Sequence, residues 1–285
     1  MTTRVGLALS GGGARGLAHI GVLNVLQQEG IPVDLISGTS MGGFLGAVYA
    51  TGMEPSAIKA EAISLSHPRR LWSLIDLTPP RRGLVEGHRV YEYMARLIGN
   101  RTFADLQIPL TVVAVDLNTG QQVHLNQGRV VDAVRATVSL PGILTPVEQD
   151  GQLLVDGGVL NNLPVDVVRD MGADVVIAVS VVPEEPEESV PHQGSHRWHI
   201  PTGLSDAANV MWRSLQVMRI ELDRRRLEEA CPDVVLQPDI PRQVGILTGF
   251  TCAEEIIAAG EAAARQALPQ ILDRLATYSH LQLAV

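Results

Sequence analysis

The sequence predicts an α/β fold with a mainly parallel central sheet sandwiched by helices. Two observations carry that expectation. Short β-branched apolar runs alternate with helical periodicity over most of the 285 residues, the pattern of strands joined by crossover helices. Two glycine-rich turns, Gly11–Gly16 and Gly38–Gly42, each follow a short apolar run and open a helical pattern. With no internal repeat, a single domain over 1–285 is expected, with a motif-bearing core at 5–182 and a helical part at 203–285 packed on it.

The elements follow in order. Val5 to Leu9 reads as a buried strand, and Arg15 to Glu29 as a helix with an apolar face of Leu17, Ile20, Leu23, Val25 and Leu26. Gly30 and Pro32 stop it. Val33 to Ser37 is a second strand leading to Ser40, and Met41 to Ala50 resumes as helix. Pro55 opens a helix that runs to Leu65. Prolines and glycines break the pattern over 66–87, and Val90 to Ile98 returns to helix. Leu110 to Val115 is a β-branched strand ending at Asp116, and Asn118-Thr119-Gly120 makes a hairpin turn. Helices are expected at Val130–Val138 and Val165–Met171, and strands at Gln152–Val155 and Asp174–Val182. Residues 183–201 read as a mobile connection. Helices at 203–230 and 252–277 flank a short strand at Asp233–Leu236.

Composition excludes several classes. A formal net charge of −9 argues against a nucleic-acid binder. Cys231 and Cys252 match no metal spacing and no disulfide framework, so neither a metal nor a cofactor is expected, and a reducing cytoplasm is permitted. Val5 to Leu9 is too short for an export signal. No apolar run reaches the ~20 residues of a transmembrane helix, so membrane contact is expected to be peripheral. Oligomeric state is left open.

The second turn, Gly38-Thr39-Ser40-Met41-Gly42, matches G-x-S-x-G. That turn lifts a nucleophilic serine onto a helix N-terminus. Gly38 and Gly42 keep Cβ atoms out of a strained elbow, and the helix starting at Met41 brings its positive dipole end near the developing charge. The alternative is a plain strand-to-helix turn with Ser40 as N-cap. In the first turn, successive glycines expose backbone N–H groups at a helix N-terminus, a nest for an anion. Gly12 and Gly13 are the candidate oxyanion donors. Arg15 is placed to brace the loop or to meet a charged head group.

Gly11, Gly13 and Gly16 also satisfy G-x-G-x-x-G, with Asp34 about twenty residues on, which permits a dinucleotide site. Against it, a ribose-binding acid belongs at the end of the second strand, and Asp34 lies near its start. The base for Ser40 is open at this level. His19 reads as a structural histidine, and His67 and His88 flank the proline-rich segment. His192, His196, His199 and His280 follow in a Ser–Asp–His chain order. Asp156 ends a strand before two glycines, which would leave its carboxylate accessible. Asp116 is a competing acid.

Taken together in this order, the glycine nest, Gly-Thr-Ser-Met-Gly and Asp156-Gly157-Gly158 resemble the patatin-like phospholipase family, and more closely its bacterial members related to the neuropathy-target-esterase branch. Supporting segments are Pro109–Gly120, Ala136–Pro146 with Ser139-Leu140-Pro141-Gly142, and Asn161-Asn162-Leu163-Pro164. The resemblance runs from Val5 to about Val182 and extends to the C-terminal helices. It implies a three-layer, α/β-hydrolase-related architecture and a Ser–Asp dyad. By its motifs Ser40 is the nucleophile, Asp156 the general base, and Gly11, Gly12, Gly13 and Arg15 the oxyanion loop. The implied activity is cleavage of lipid acyl esters, as a phospholipase A, lysophospholipase or carboxylesterase. A nucleotide-dependent enzyme and an inactive lipid-binding scaffold are the competing classes.

Residues 67–84 form a local basic, amphipathic patch in an acidic chain. Arg69-Arg70 and Arg81-Arg82 flank Leu71, Trp72, Leu74, Ile75 and Leu77. Such a segment suits a lipid surface or a lid over Ser40. Packing of its apolar residues onto the core is the simpler expectation. Arg224-Arg225-Arg226 reads as a solvated helix face.

Overall fold

The structure is a computed structural model that describes residues 3–76, 85–183 and 202–283. His192, His196, His199, most of the 183–201 connection and the second half of the basic patch lie outside the described residues.

The chain opens with β1 (Val5–Leu9), a 3-10 turn over Gly13–Leu17 and α1 (Ala18–Gln28). The expected first helix is thus split, because the first turn of the chain winds more tightly before α1 begins. Next come β2 (Leu35–Thr39), α2 (Met41–Ala50), α3 (Pro55–Leu65), α4 (Pro68–Ser73) and α5 (His88–Ile98). The central part is β3 (Leu110–Asp116), β4 (Gln121–Leu125), α6 (Val130–Thr137), β5 (Val147–Gln149) and β6 (Gln152–Asp156). It closes with α7 (Val165–Asp170), β7 (Val175–Val179), α8 (Thr202–Ala230), β8 (Val234–Leu236) and α9 (Ala253–Leu283).

Eight strands form one mixed sheet in the order β5-β6-β3-β2-β1-β7-β8, with β4 also on β3. The central run β3-β2-β1-β7-β8 is parallel. β4, β5 and β6 are added antiparallel at one end. β1, β2, β3 and β7 are buried at every residue, as parallel strands covered on both faces must be.

Alternate residues of these strands serve two cores. Leu7, Leu9, Ile36, Val112 and Ile177 face the larger one, with Ile20, Leu23, Leu45, Val48, Ile256 and Ile257 from α1, α2 and α9. Ala8, Leu35, Val176 and Ala178 face the smaller one, with Val165 and Val168 of α7 and Leu227 of α8. This is the three-layer α/β arrangement that the sequence predicts.

The register around β3 positions the site. β4 pairs with Val112–Asp116 on one edge. β2 pairs with Leu110–Val113 and β6 with Ala114–Asp116, so these two share the opposite edge. They run in opposite directions and meet end to end there. Thr39 is opposite Val113, and Asp156 is opposite the next residue, Ala114. Two residues far apart in sequence, Ser40 and Asp156, are brought together by adjacent rungs of one strand.

Candidate active site

Ser40 follows β2 directly and takes φ 53°, ψ −123°. A non-glycine residue held there stores strain of roughly 1–3 kcal/mol, which persists only if its surroundings fix it. They do. The Ser40 amide donates to Thr137 Oγ1 at 2.8 Å, and that hydroxyl donates to the Val113 carbonyl at 2.5 Å. The Ser40 carbonyl accepts from Phe44 as α2 begins. Ser40 therefore occupies the N-cap of α2 without a side-chain capping bond, and its hydroxyl is left for another partner. A Cβ at Gly42 would collide with the Leu9 and Ser10 carbonyls, and one at Gly38 would lie 2.7 Å from Gly43 Cα. The elbow glycines are demanded by close backbone approach.

The Ser40 hydroxyl shares its cavity with the carboxylate of Asp156 and favours the charged form of that acid. Asp156 is 3% exposed, so the accessible carboxylate expected from its flanking glycines is corrected: it is buried and opens only into a cavity. Its amide donates to the Ser139 carbonyl at 3.0 Å, and its Oδ1 accepts from the Gly158 amide at 2.7 Å. Burial pushes its pKa above the usual carboxylate value, opposed by the Ser40 hydroxyl, the Gly158 hydrogen bond and the charge of Arg219. A hydroxyl beside a buried, more basic carboxylate is a pair able to pass a proton.

The glycine turn crosses the same cavity, which Gly12 and Gly13 line. Gly13 has φ +53°, and a Cβ there would run into the Ile246 carbonyl. The Gly11 amide donates to the Asn162 carbonyl at 3.0 Å, so it is occupied. Among the described residues, the Gly12 and Gly13 amides have no acceptor. Arg15 is 4% exposed. Its guanidinium donates to the carbonyls of Val181 at 2.9 Å and Val244 at 3.2 Å. Of the two roles the sequence offered Arg15, these contacts are those of a brace.

Asn162, which the sequence offered only within a supporting segment, ties this corner together. Its Nδ2 donates to the Gly11 carbonyl at 3.2 Å and to Asp223 Oδ2 at 3.0 Å. Asp223, on α8, has its pKa raised to about 6 by burial, opposed by Arg219. Thr137 falls within the supporting segment Ala136–Pro146 without being singled out, and Arg219 and Asp223 lie outside every motif; each acts only through the fold.

The remaining candidates fall elsewhere. Asp34 Oδ2 accepts from the Val5 amide at 2.7 Å, which fixes it at the start of β1, away from the glycine turn. The dinucleotide reading loses its ribose acid. Asp116 accepts from the amides of Asn118 and Leu153 and from Thr119, which hold its pKa low, so it is a turn residue. His19 is buried with Nε2 2.8 Å from the Ser10 carbonyl, and burial lowers its pKa to about 4, the structural histidine expected. Arg224 and Arg225 pair with Glu221 and Glu228 on an exposed face. Arg226 departs from that expectation: it donates to the Leu160 carbonyl at 2.7 Å. Among the described residues no acidic, His or Cys cluster could hold a metal.

The cavity over Ser40 and Asp156 has a volume of about 370 Å³, within the roughly 300–1,000 Å³ of small-molecule sites. Its wall is apolar, with Phe44, Val90, Met94, Leu140 and Ile143 in the interior. Leu71, Trp72, Leu74 and Ile75, from the segment 67–84, form one side. The expectation that they pack onto the core is only partly met. They line the cavity, and Trp72 stays 70% exposed.

Fold and site thus define an α/β protein with a serine elbow facing a buried acid across an apolar cavity. The chain belongs to the patatin-like phospholipase family, whose sequence profile matches residues 7–169. It is 41% identical over 182 residues to human patatin-like phospholipase domain-containing protein 6, covering 62% of this chain and 13% of that protein. It is 37% identical over 179 residues to an uncharacterized NTE family protein of Mycobacterium tuberculosis, covering 62% and 49%. With lysophospholipase nte1 of Aspergillus fumigatus it shares 36% over 179 residues, covering 62% and 12%. The chain therefore spans half or less of the length of these relatives. Among solved structures it is similar to VipD of Legionella pneumophila at a TM-score of 0.44 and 11% identity, covering 92% of this chain and 67% of that one.

Proposed function

We propose that this chain is a serine hydrolase that cleaves acyl esters of lipids through a Ser40–Asp156 dyad. The observation that carries the reading is the strained Ser40 brought beside the buried Asp156 by adjacent rungs of β3, both on the floor of an apolar cavity. Family membership and the lysophospholipase named among the relatives support a lipid substrate.

The steps follow from the geometry. Ser40 Oγ attacks the ester carbonyl as Asp156 accepts its proton. The amides of Gly12 and Gly13 donate to the oxyanion, and each such donor contributes roughly 3–4 kcal/mol at the transition state. The intermediate collapses, the C–O bond to the alcohol breaks, and the alcohol leaves with the proton from Asp156. Water then gives a proton to Asp156 and attacks the acyl-enzyme. The fatty acid departs as Ser40 regains its proton. Burial makes Asp156 a stronger base than a solvated aspartate. Gly11 and Arg15 act behind this apparatus by holding the loop in shape.

Substrate enters beside α4. Exposed Trp72, with Arg69 and Arg70 next to it, is suited to touch a lipid surface from the periphery. Among the described residues no helix is long and apolar enough to cross a membrane.

Labelling by a fluorophosphonate tests the dyad. Wild type should label, and Ser40→Ala and Asp156→Ala should not. Full labelling of folded Asp156→Ala would remove Asp156 as the base. A folded wild type that neither labels nor turns over a short ester would mark an inactive scaffold.

A further inference from the structure

The motif's own cation, Arg15, is buried against backbone carbonyls. A different one reaches the site. Among the described residues that line the Ser40 cavity, only Asp156 and Arg219 carry a formal charge. Arg219 comes from α8, far from every motif, and its charge acts on both Asp156 and Asp223. Those two carboxylates offset the cost of holding a cation on an otherwise apolar wall. Arginine carries five N–H donors, enough to serve a carboxylate and still fork onto a phosphate.

A second feature of α8 bears on what that anion is. The residues before Arg219 leave Val210, Met211, Leu215, Val217 and Met218 exposed. The cavity's cation therefore borders an apolar outer surface, a junction suited to a molecule with a charged head and a greasy tail.

We propose that Arg219 binds the phosphodiester of a phospholipid, most simply a one-chain lysophospholipid, whose acyl ester lies at Ser40. This rests on the hydrolase reading above and names the residue that would select phosphate-bearing esters among its lipid substrates. The apolar wall takes the acyl chain, Ser40 meets the ester, and Arg219 takes the phosphate that a neutral glyceride lacks.

The test compares kcat/KM for 1-palmitoyl lysophosphatidylcholine, 1-palmitoyl lysophosphatidylglycerol and 1-palmitoylglycerol in the same mixed micelles. The readout is the ratio of each phospholipid to the glyceride, so losses common to all substrates cancel. In Arg219→Gln both ratios should fall about 10- to 100-fold, the worth of a charge-assisted hydrogen bond. Arg219→Lys, which keeps the charge without the fork, should fall between. Ratios within about twofold of wild type in Arg219→Gln would overturn the proposal. So would a change confined to the choline lipid, since the phosphate is common to both. A wild type that cleaves the glyceride but neither phospholipid overturns it while leaving the hydrolase intact. A wild type that cleaves none of the three and takes no fluorophosphonate defeats the hydrolase reading itself, and this proposal with it.

Discussion

The two sides of the cavity are built on different terms. On the floor, Ser40, Gly38, Gly42 and Asp156 are fixed by backbone. Strand ends abut on β3, and a single added methyl at Gly42 would meet two carbonyls. On the wall, Leu71 and Trp72 come from a short helix with no buried residue, Ile75 from the turn after it, and Arg219 from a half-exposed stretch of α8. The floor has one solution and the wall has many. Chemistry needs sub-ångström placement of few atoms, whereas fitting a lipid needs a surface of the right character. The comparison can be broken by finding that the floor tolerates change, or that the wall does not.

The largest effect is expected on the floor. Ser40→Ala and Asp156→Asn should each lower kcat on a soluble short-chain ester by at least about 10³-fold, since members of a catalytic unit fail together. A double variant should be little worse than either single one. Initial rates on purified, folded proteins measure this. Additive losses would mean the two residues do not act as a unit.

Stability separates the two sides next. Gly42→Ala should cost about 3 kcal/mol or more, because backbone rather than a flexible side chain blocks the new methyl. Trp72→Ala, at 70% exposure, should stay within about 0.5 kcal/mol. Urea melts of both variants decide it, and equal losses would erase the distinction drawn between floor and wall.

The same contrast governs what sequence can reveal. The floor was legible because close approach leaves a local trace: glycines at set positions around Ser40, and Asp156 before Gly157-Gly158. The strand order placing them together was legible only as a class, since β4 and β5 are short, polar antiparallel additions without the β-branched runs of the core. The bounds of β2 fell two residues later than expected because Val33 and Asp34 belong to the approach to the sheet. Arg219 and Asp223 could not be found that way. No motif near them in the chain marks them, and their meaning arises when α8 crosses over Asn162. Arg15 shows the converse. Its motif position left bracing and head-group contact both open, and only the fold sets its guanidinium against the Val181 and Val244 carbonyls.

A smaller effect is expected from the wall in function. Trp72→Ala should lower turnover of lipid in vesicles about three- to fivefold more than turnover of a soluble ester, because only the first requires contact with a surface. Parallel assays on the two substrates check it. Equal losses would return Trp72 to a purely structural part of the cavity.

The smallest effect concerns the cost of keeping Asp156 buried. Its folded pKa lies above its ordinary value of 3.8, with burial as the first cause. Below the ordinary value the carboxyl is protonated in folded and unfolded chains alike, and Asp156→Asn should change stability little. As pH rises through that value the unfolded chain ionises first, so wild type loses stability until the folded carboxyl ionises too. Above that point the deficit is constant. Asp156→Asn should therefore melt higher than wild type at pH 7, by a few degrees if the difference is about 1 kcal/mol, and the gain should vanish near pH 4. Thermal melts across this range test it. A variant less stable than wild type at pH 7 would mean that the Ser40 hydroxyl, the Gly158 amide and Arg219 together outweigh burial, and that the acid strengthens the floor it sits in.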